Sequence, residues 1–97
     1  MKKTDQNIGY ALAWYKPEQW ESLKAVSIDG DTLEESFIAW ETKAKERIPE
    51  YEKEGVHLEK MIIDVDGLVA WCRTRSIPVD GAARAKYAAE LLRNRDN

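Results

Sequence analysis

The sequence predicts a small single-domain α+β protein, in which a two-stranded sheet packs against four helices in the order β-α-α-β-α-α. Three observations lead to this fold class. The chain has 97 residues, the size of one domain. It is 43% apolar and 34% charged, which is outside the composition of disordered chains. Two short apolar runs also alternate with four segments whose apolar residues recur at helical spacing.

The first apolar run, residues 8–15, is aromatic and aliphatic and ends just before Pro17. Its length and composition predict a strand with both faces buried. Pro17 is suited to the first turn of a helix, which we expect over residues 17–27 with Trp20 and Leu23 facing inward.

The second helix is predicted over residues 31–54, capped by Asp31 or Thr32 and ending at Gly55. Pro49 lies inside this segment, and we expect it to kink the helix or to end its regular part, because it removes a backbone donor. One apolar face is expected from the spacing of Leu33, Phe37, Trp40, Ala44, Ile48 and Tyr51.

The second half repeats the strand-helix-helix order. Residues 56–64 form the second strand, Asp64 caps a helix over 65–75, and Asp80 caps a helix over 81–94. Two helices between the strands make a parallel crossover easy, but the sequence leaves parallel and antiparallel pairing open. The last helix is alanine-rich, and its inward face is predicted to consist of Ala82, Ala85, Ala89 and Leu92.

Charge and cysteine content indicate the type of environment and partner. The net charge is −3, but residues 72–97 hold six Lys or Arg against three Asp or Glu, so this end is basic. The single cysteine, Cys72, fits a reducing compartment, and no apolar run is long enough for a membrane span. We expect a cytoplasmic protein in which residues 1–7 are disordered and residues 95–97 are frayed.

The most enzyme-like segment is the apolar run that leads into Asp64-Val65-Asp66-Gly67. It resembles the first motif of the haloacid dehalogenase superfamily of phosphatases, which implies a nucleophile at Asp64 and an acid/base at Asp66. Only 31 residues follow Asp66, and they cannot supply the remaining phosphate and magnesium ligands or complete a parallel sheet. We therefore interpret Asp64 as a helix N-cap and Asp66 as a first-turn carboxylate, and we predict that the chain is not an enzyme.

Other catalytic or cofactor sites are not supported. Asp29 and Asp31 lack the later ligands of a calcium loop, and the five glycines are dispersed rather than gathered in a phosphate loop. Cys72 follows Trp71 in an apolar stripe, a position typical of a buried, inert thiol. Cys72 and His57 are the only thiol and imidazole in the sequence, and two ligands are too few for a structural zinc site. No cofactor or metal is expected.

The stretch Trp14-Tyr15-Lys16-Pro17-Glu18-Gln19-Trp20 resembles a pattern found in small bacterial proteins of uncharacterised function, and residues 71–90 resemble the same proteins. The resemblance implies a bacterial protein but no activity. In physical terms, Trp14 and Trp20 bracket the corner between strand and helix and pack it. Exposure of either would favour an aromatic-lined groove for a partner.

Two function hypotheses follow. The first is a protein-interaction or self-associating domain that uses a strand edge or the long acidic helix, because a two-stranded sheet has unpaired edges on which a homodimer or another protein can assemble. The alternative is a small nucleic-acid-binding regulator in which the last two helices present Arg84, Lys86 and other basic residues to phosphates. The candidate interaction residues are Trp14, Trp20, Arg84 and Lys86.

Overall fold

A computed structural model describes residues 9–95, and it has the predicted α+β architecture. The expected disorder of residues 1–7 lies outside the described residues, as do Asp96 and Asn97, whereas Arg95 is the last residue of the final helix. Within residues 9–95, no helix is both long enough and apolar enough to cross a lipid bilayer. The elements, in chain order, are β1 (Gly9–Trp14), α1 (Trp20–Val26), α2 (Phe37–Lys53), β2 (His57–Ile62), α3 (Val65–Thr74) and α4 (Gly81–Arg95).

The two strands are parallel and are paired in register from Gly9 opposite His57 to Trp14 opposite Ile62. Side chains alternate between the two faces of the sheet. One face carries Ala11 and Ala13 beside Met61, and it packs on the core. The other face carries Tyr10, which is 58% exposed, half-buried Leu12 and Trp14, which is 7% exposed. The expectation that both faces of the first strand are buried is therefore wrong at Tyr10, the start of the strand, and right at Trp14, its end. The core itself is centred on five side chains with almost no exposed surface: Trp20, Leu23, Ile63, Leu68 and Cys72.

Helix α1 follows a single 3-10 turn over Pro17–Gln19, with Pro17 at the first position of that turn as expected. Trp20 and Leu23 are buried, as predicted from their spacing. The helix ends before Ser27, which is itself buried.

Helix α2 begins later than predicted, at Phe37 rather than residue 31. Its N-cap is Ser36, whose hydroxyl accepts a hydrogen bond from the Ala39 N–H at 3.1 Å. The residues before it form a tight 3-10 turn, because Gly30 lies against the Lys24 carbonyl where a Cβ would be only 2.3 Å from the oxygen. The helix continues through Pro49 to Lys53 as one element.

Helix α4 begins after Asp80, whose carboxylate accepts a hydrogen bond from the Ala83 N–H at 2.9 Å, as the capping prediction requires. Its inward face differs from the prediction. Ala83 and Ala88 are buried, whereas the predicted inward residues Ala82 and Ala85 are exposed, as is Ala89. A helix with alanine on every side has little amphipathic contrast, so the sequence could not fix its rotation.

Candidate functional site

The Asp64-Val65-Asp66-Gly67 segment is the N-terminus of α3. The Asp64 carboxylate accepts a hydrogen bond from the Gly67 N–H at 2.9 Å, which confirms the N-cap interpretation. Asp66 lies exposed in the first helical turn, where a negative charge is favoured by the helix dipole. Both carboxylates therefore have a structural explanation.

The thiol and the imidazole lie in different environments. Cys72 is 2% exposed in α3, and burial raises the pKa of its thiol, which disfavours the reactive thiolate. His57 is exposed on β2 and contacts the carboxylate of Glu59. Among residues 9–95, no cluster of three or more His, Cys, Asp or Glu side chains is arranged to hold a metal ion.

Trp14 and Trp20 belong to a buried aromatic cluster, with 7% and 2% of their surface exposed. The ring of Trp40, from α2, lies 4.7 Å from that of Trp14 and 5.5 Å from that of Trp20, measured between centroids. The Trp20 indole N–H also donates to the Glu34 carbonyl at 3.0 Å, which fixes the turn before α2. These two residues hold α2 against the strand and do not form an exposed aromatic surface.

Arg84 is likewise an interior residue, with 7% of its surface exposed. Its guanidinium donates two hydrogen bonds of 2.9 Å to the Asp29 carboxylate and one of 3.1 Å to the Ser27 hydroxyl. These hydrogen bonds connect α4 to the segment after α1, since Ser27 and Asp29 precede Arg84 by 57 and 55 residues in the sequence. The structure therefore places Arg84 in a structural ion pair and not among surface cations.

The pKa values of this cluster follow from the pairing. Hydrogen bonding from Arg84 holds the pKa of Asp29 below its usual range. Burial acts to lower the pKa of Arg84, but the hydrogen bonds to Asp29 and the electrostatic attraction of Tyr15, Asp29 and Asp80 together outweigh burial, and the pKa is raised. Burial also raises the pKa of the neighbouring Tyr15 to about 12, against the opposing effect of Arg84. At neutral pH the cluster is a charged pair beside a neutral phenol.

Lys86 is exposed on α4 and borders a shallow depression between α3 and α4. Arg75 and Arg93 border the same depression, so the structure brings together basic residues from both helices. Glu90 does not form the ion pair with Lys86 that their spacing suggests. It accepts from the Trp71 indole N–H at 3.2 Å and lies 3.6 Å from the Arg75 guanidinium.

A groove of about 390 Å³, lined in part by Leu58 of β2, lies along β1 between α2 and α4. The strand contributes three consecutive residues to it, Ala11, Leu12 and Ala13. Since consecutive strand residues point to opposite faces, the groove reaches the edge of the strand and not only one face of the sheet. We call it the edge groove.

Two helices form the walls of the edge groove. Helix α4 contributes small residues at its N-terminal end, Gly81 and Ala85, with Arg84 behind them. The first turn of α2 packs on the core, and the apolar stripe of the helix then continues along the groove. The α2 wall of the groove consists of Trp40, Lys43, Ala44, Arg47, Ile48 and Tyr51. The apolar spacing of α2 predicted from the sequence therefore serves two purposes, core packing by its first turns and groove lining by the rest.

The edge groove contains unpaired backbone groups. The Ile63 N–H donates to the Trp14 carbonyl at 2.9 Å, so the peptide groups of Trp14 and, two residues before it, Leu12 point toward β2. In a strand, the backbone N–H and C=O groups of successive residues point alternately toward and away from the neighbouring strand. Those of Ala11 and Ala13 therefore point away from β2, toward the groove that these residues line. Within the described chain, neither residue makes a backbone hydrogen bond outside the ladder.

The sequence predicts an unpaired strand edge, but it does not indicate which edge this is or which side chains surround it. The sequence of β1 does not mark the open edge, because strand side chains point to the two faces of a sheet, and those of Ala11 and Ala13 pack on the core. On β2, Lys60 is exposed, and charged side chains are a common means of blocking strand addition.

Comparison with models of protein families, with curated proteins and with solved structures finds no match to this chain. Two features of the structure therefore bear on function, the edge groove and the depression between α3 and α4.

Proposed function

We propose that this chain is a protein-interaction module that binds an extended peptide segment by strand addition to the free edge of β1. The observation that carries the proposal is the pair of outward-pointing peptide units at Ala11 and Ala13, which lie in a groove between two helices. In strand addition, backbone hydrogen bonds supply affinity and the surroundings of alternate side chains supply specificity. The edge groove has both components.

The dimensions of the groove support an extended ligand. On α2 the wall runs from Trp40 to Tyr51, eleven residues, or about 16 Å at 1.5 Å per residue. An extended chain of about five residues covers the same length at roughly 3.3 Å per residue. The strand itself, Gly9–Trp14, has six residues, so an added segment of five residues can pair along most of its length.

A second copy of the chain is the other occupant that the sequence suggested. The edge of β1 is flanked by α2 and α4, and direct pairing of two β1 edges would require these walls to separate in both copies. An isolated peptide strand meets no such obstacle. This steric argument favours a peptide over a homodimer.

The test is a selection from a displayed library of random nonapeptides, followed by amide NMR with the enriched peptides. We expect them to shift and protect the amides of Ala11 and Ala13. Ala85→Phe, which places a ring in the groove, should abolish binding. Ala82→Phe is the matched control, because Ala82 is also exposed on α4 but does not line the groove.

Three results would overturn the proposal. The first is the absence of any enriched peptide, and the second is binding that survives Ala85→Phe in a variant whose thermal unfolding is unchanged. The third is a dimer in sedimentation equilibrium whose Ala11 and Ala13 amides are protected without peptide, which would assign the edge to self-association.

A second candidate function is nucleic-acid binding through the depression between α3 and α4. The observation in its favour is the convergence of three basic residues, Arg75, Lys86 and Arg93, on this depression. Arg84 is not part of this surface. Retention on immobilised DNA or RNA at low salt, lost at moderate salt and in Lys86→Glu, would support it. No salt-sensitive retention of the parent protein would remove it.

A further inference from the structure

We infer that the peptide bound in the edge groove carries an acidic side chain opposite Arg47. This inference rests on the proposed function, since it specifies the chemistry of the same ligand. It follows from the position of Arg47 on the wall, from the absence of any carboxylate of residues 9–95 within ion-pair distance of it, and from the small residues on the opposite wall.

Arg47 lies near the middle of the α2 wall. It is seven residues from Trp40 and four from Tyr51, which places it about 10 Å and about 6 Å from the two ends. A bound strand of about five residues would therefore have a central residue within reach of the guanidinium. The arginine side chain is exposed, so it can turn toward a ligand without leaving a buried position.

The other charged groups of the groove have partners. Lys43 lies 3.1 Å from the Glu34 carboxylate, and this hydrogen bond lowers the pKa of Glu34. Arg84 is paired with Asp29. For Arg47, no carboxylate of the described chain lies within ion-pair distance, although Glu50 borders a neighbouring hollow on α2. The Glu34 carboxylate also attracts Arg47, but it is shared with Lys43. Besides the Arg84–Asp29 pair, the lining of the groove therefore carries two cations, Lys43 and Arg47, against one carboxylate, Glu34.

The two walls of the groove would contact different side chains of the peptide. Alternate residues of an added strand point to opposite faces, toward α2 or toward α4. On the α4 side, Gly81 and Ala85 form part of the wall with small side chains. On the α2 side, Ala44 and Ile48 accept apolar groups on either side of the acid that pairs with Arg47. A guanidinium favours a carboxylate here because the two can form paired hydrogen bonds.

The test repeats the nonapeptide selection on the parent chain, on Arg47→Glu and on Lys45→Glu. Lys45 is the matched control, since it lies two residues away on α2, is similarly exposed and does not line the groove. Both variants change the net charge by the same amount. Long-range electrostatics therefore affects them alike, and only a local contact separates them.

We expect peptides selected on the parent chain to be enriched in Asp or Glu at one position, and those selected on Arg47→Glu to carry Lys or Arg there. The acidic peptide should bind Arg47→Glu about fivefold more weakly than the parent, as expected for a partly exposed ion pair, and Lys45→Glu should change its affinity less than twofold.

An acidic preference that persists in Arg47→Glu, or one that Lys45→Glu removes equally, would overturn the inference. So would edge-binding peptides with no acidic preference, and in that case the proposed function would stand. If no peptide reaches the β1 edge, both are wrong.

Discussion

The buried pair between Arg84 and Asp29 allows the strongest quantitative prediction about the fold, for the substitution Asp29→Ala. This change removes two hydrogen bonds of 2.9 Å and leaves a guanidinium whose side chain is only 9% exposed without its counter-charge. Removing one partner of a buried pair costs about 3–5 kcal/mol. The Asp29 side chain is 29% exposed, so water can compensate in part, and we expect a loss of about 2–3 kcal/mol.

For a domain of this size, each kcal/mol corresponds to a change of about 4–8 °C in Tm, so Asp29→Ala should lower Tm by about 10–20 °C. Urea unfolding followed by tryptophan fluorescence and calorimetry would measure both quantities. Asp31→Ala is the control, because Asp31 is exposed two residues away and should change the unfolding free energy by no more than about 0.5 kcal/mol.

The double variant Asp29→Ala with Arg84→Met separates the loss of the pair from the burial of an unpaired cation. A buried ion pair replaced as a whole by apolar groups is often nearly neutral in stability. We therefore expect the double variant to be more stable than Asp29→Ala alone. A double variant that is less stable by the full sum of the single losses would refute the reasoning, as would a loss in Asp29→Ala below about 0.5 kcal/mol.

Three further predictions concern pH, capping and backbone packing. The pKa of Asp29 is lower in the folded than in the unfolded protein, so its contribution to stability is present above the unfolded pKa of about 3.9 and is lost as pH falls through the folded pKa. The unfolding free energies of the parent and of Asp29→Ala should therefore converge as the pH is lowered. Asp64→Ala should cost about 1 kcal/mol in urea unfolding through loss of the N-cap, whereas Asp64→Asn, which keeps a capping oxygen, should cost less and leave phosphate-ester hydrolysis at background; substantial hydrolysis that this variant abolishes would contradict the cap interpretation. Gly30→Ala should be more destabilising than the roughly ±0.5 kcal/mol of an ordinary surface change, because its Cβ would meet the Lys24 carbonyl oxygen at 2.3 Å, and an unchanged Tm would contradict that geometry.

The parts of the fold that were predictable have strong local signals. The carboxylates of Asp64 and Asp80 each accept a hydrogen bond from the backbone N–H three residues later, and both helix caps are at the predicted positions. Trp20 and Leu23 are large apolar side chains at helical spacing, and both are buried. Each of these features is decided within a few residues of chain.

The parts that failed depend on contacts between distant segments. The predicted start of α2 is six residues too early, because Asp31 is a residue type that often caps helices. In the structure, residues 30–34 form a turn before the helix. The Trp20 indole bonds to Glu34 there, and Gly30 packs against the Lys24 carbonyl. Arg84 was expected at the surface because it lies in a basic segment. Its partner Asp29 is 55 residues away, and no local pattern in the sequence indicates that pair.

The candidate site was predictable only in outline. A two-stranded sheet implies unpaired edges, and that inference needs no coordinates. Which edge remains open depends on how α2 and α4 flank β1, and this follows from the tertiary packing of Trp40 and Ala83. The position of Arg47 on the groove wall has the same origin.

The most direct test of the central claim is amide hydrogen exchange at three consecutive residues of β1, with and without the most enriched peptide. In the free protein, Leu12 should exchange slowly because its N–H points toward β2, whereas Ala11 and Ala13 should exchange rapidly. Bound peptide should slow Ala11 and Ala13 and leave Leu12 nearly unchanged. Equal protection of all three in the free protein, or peptide binding that leaves Ala11 and Ala13 unprotected, would contradict strand addition at this edge.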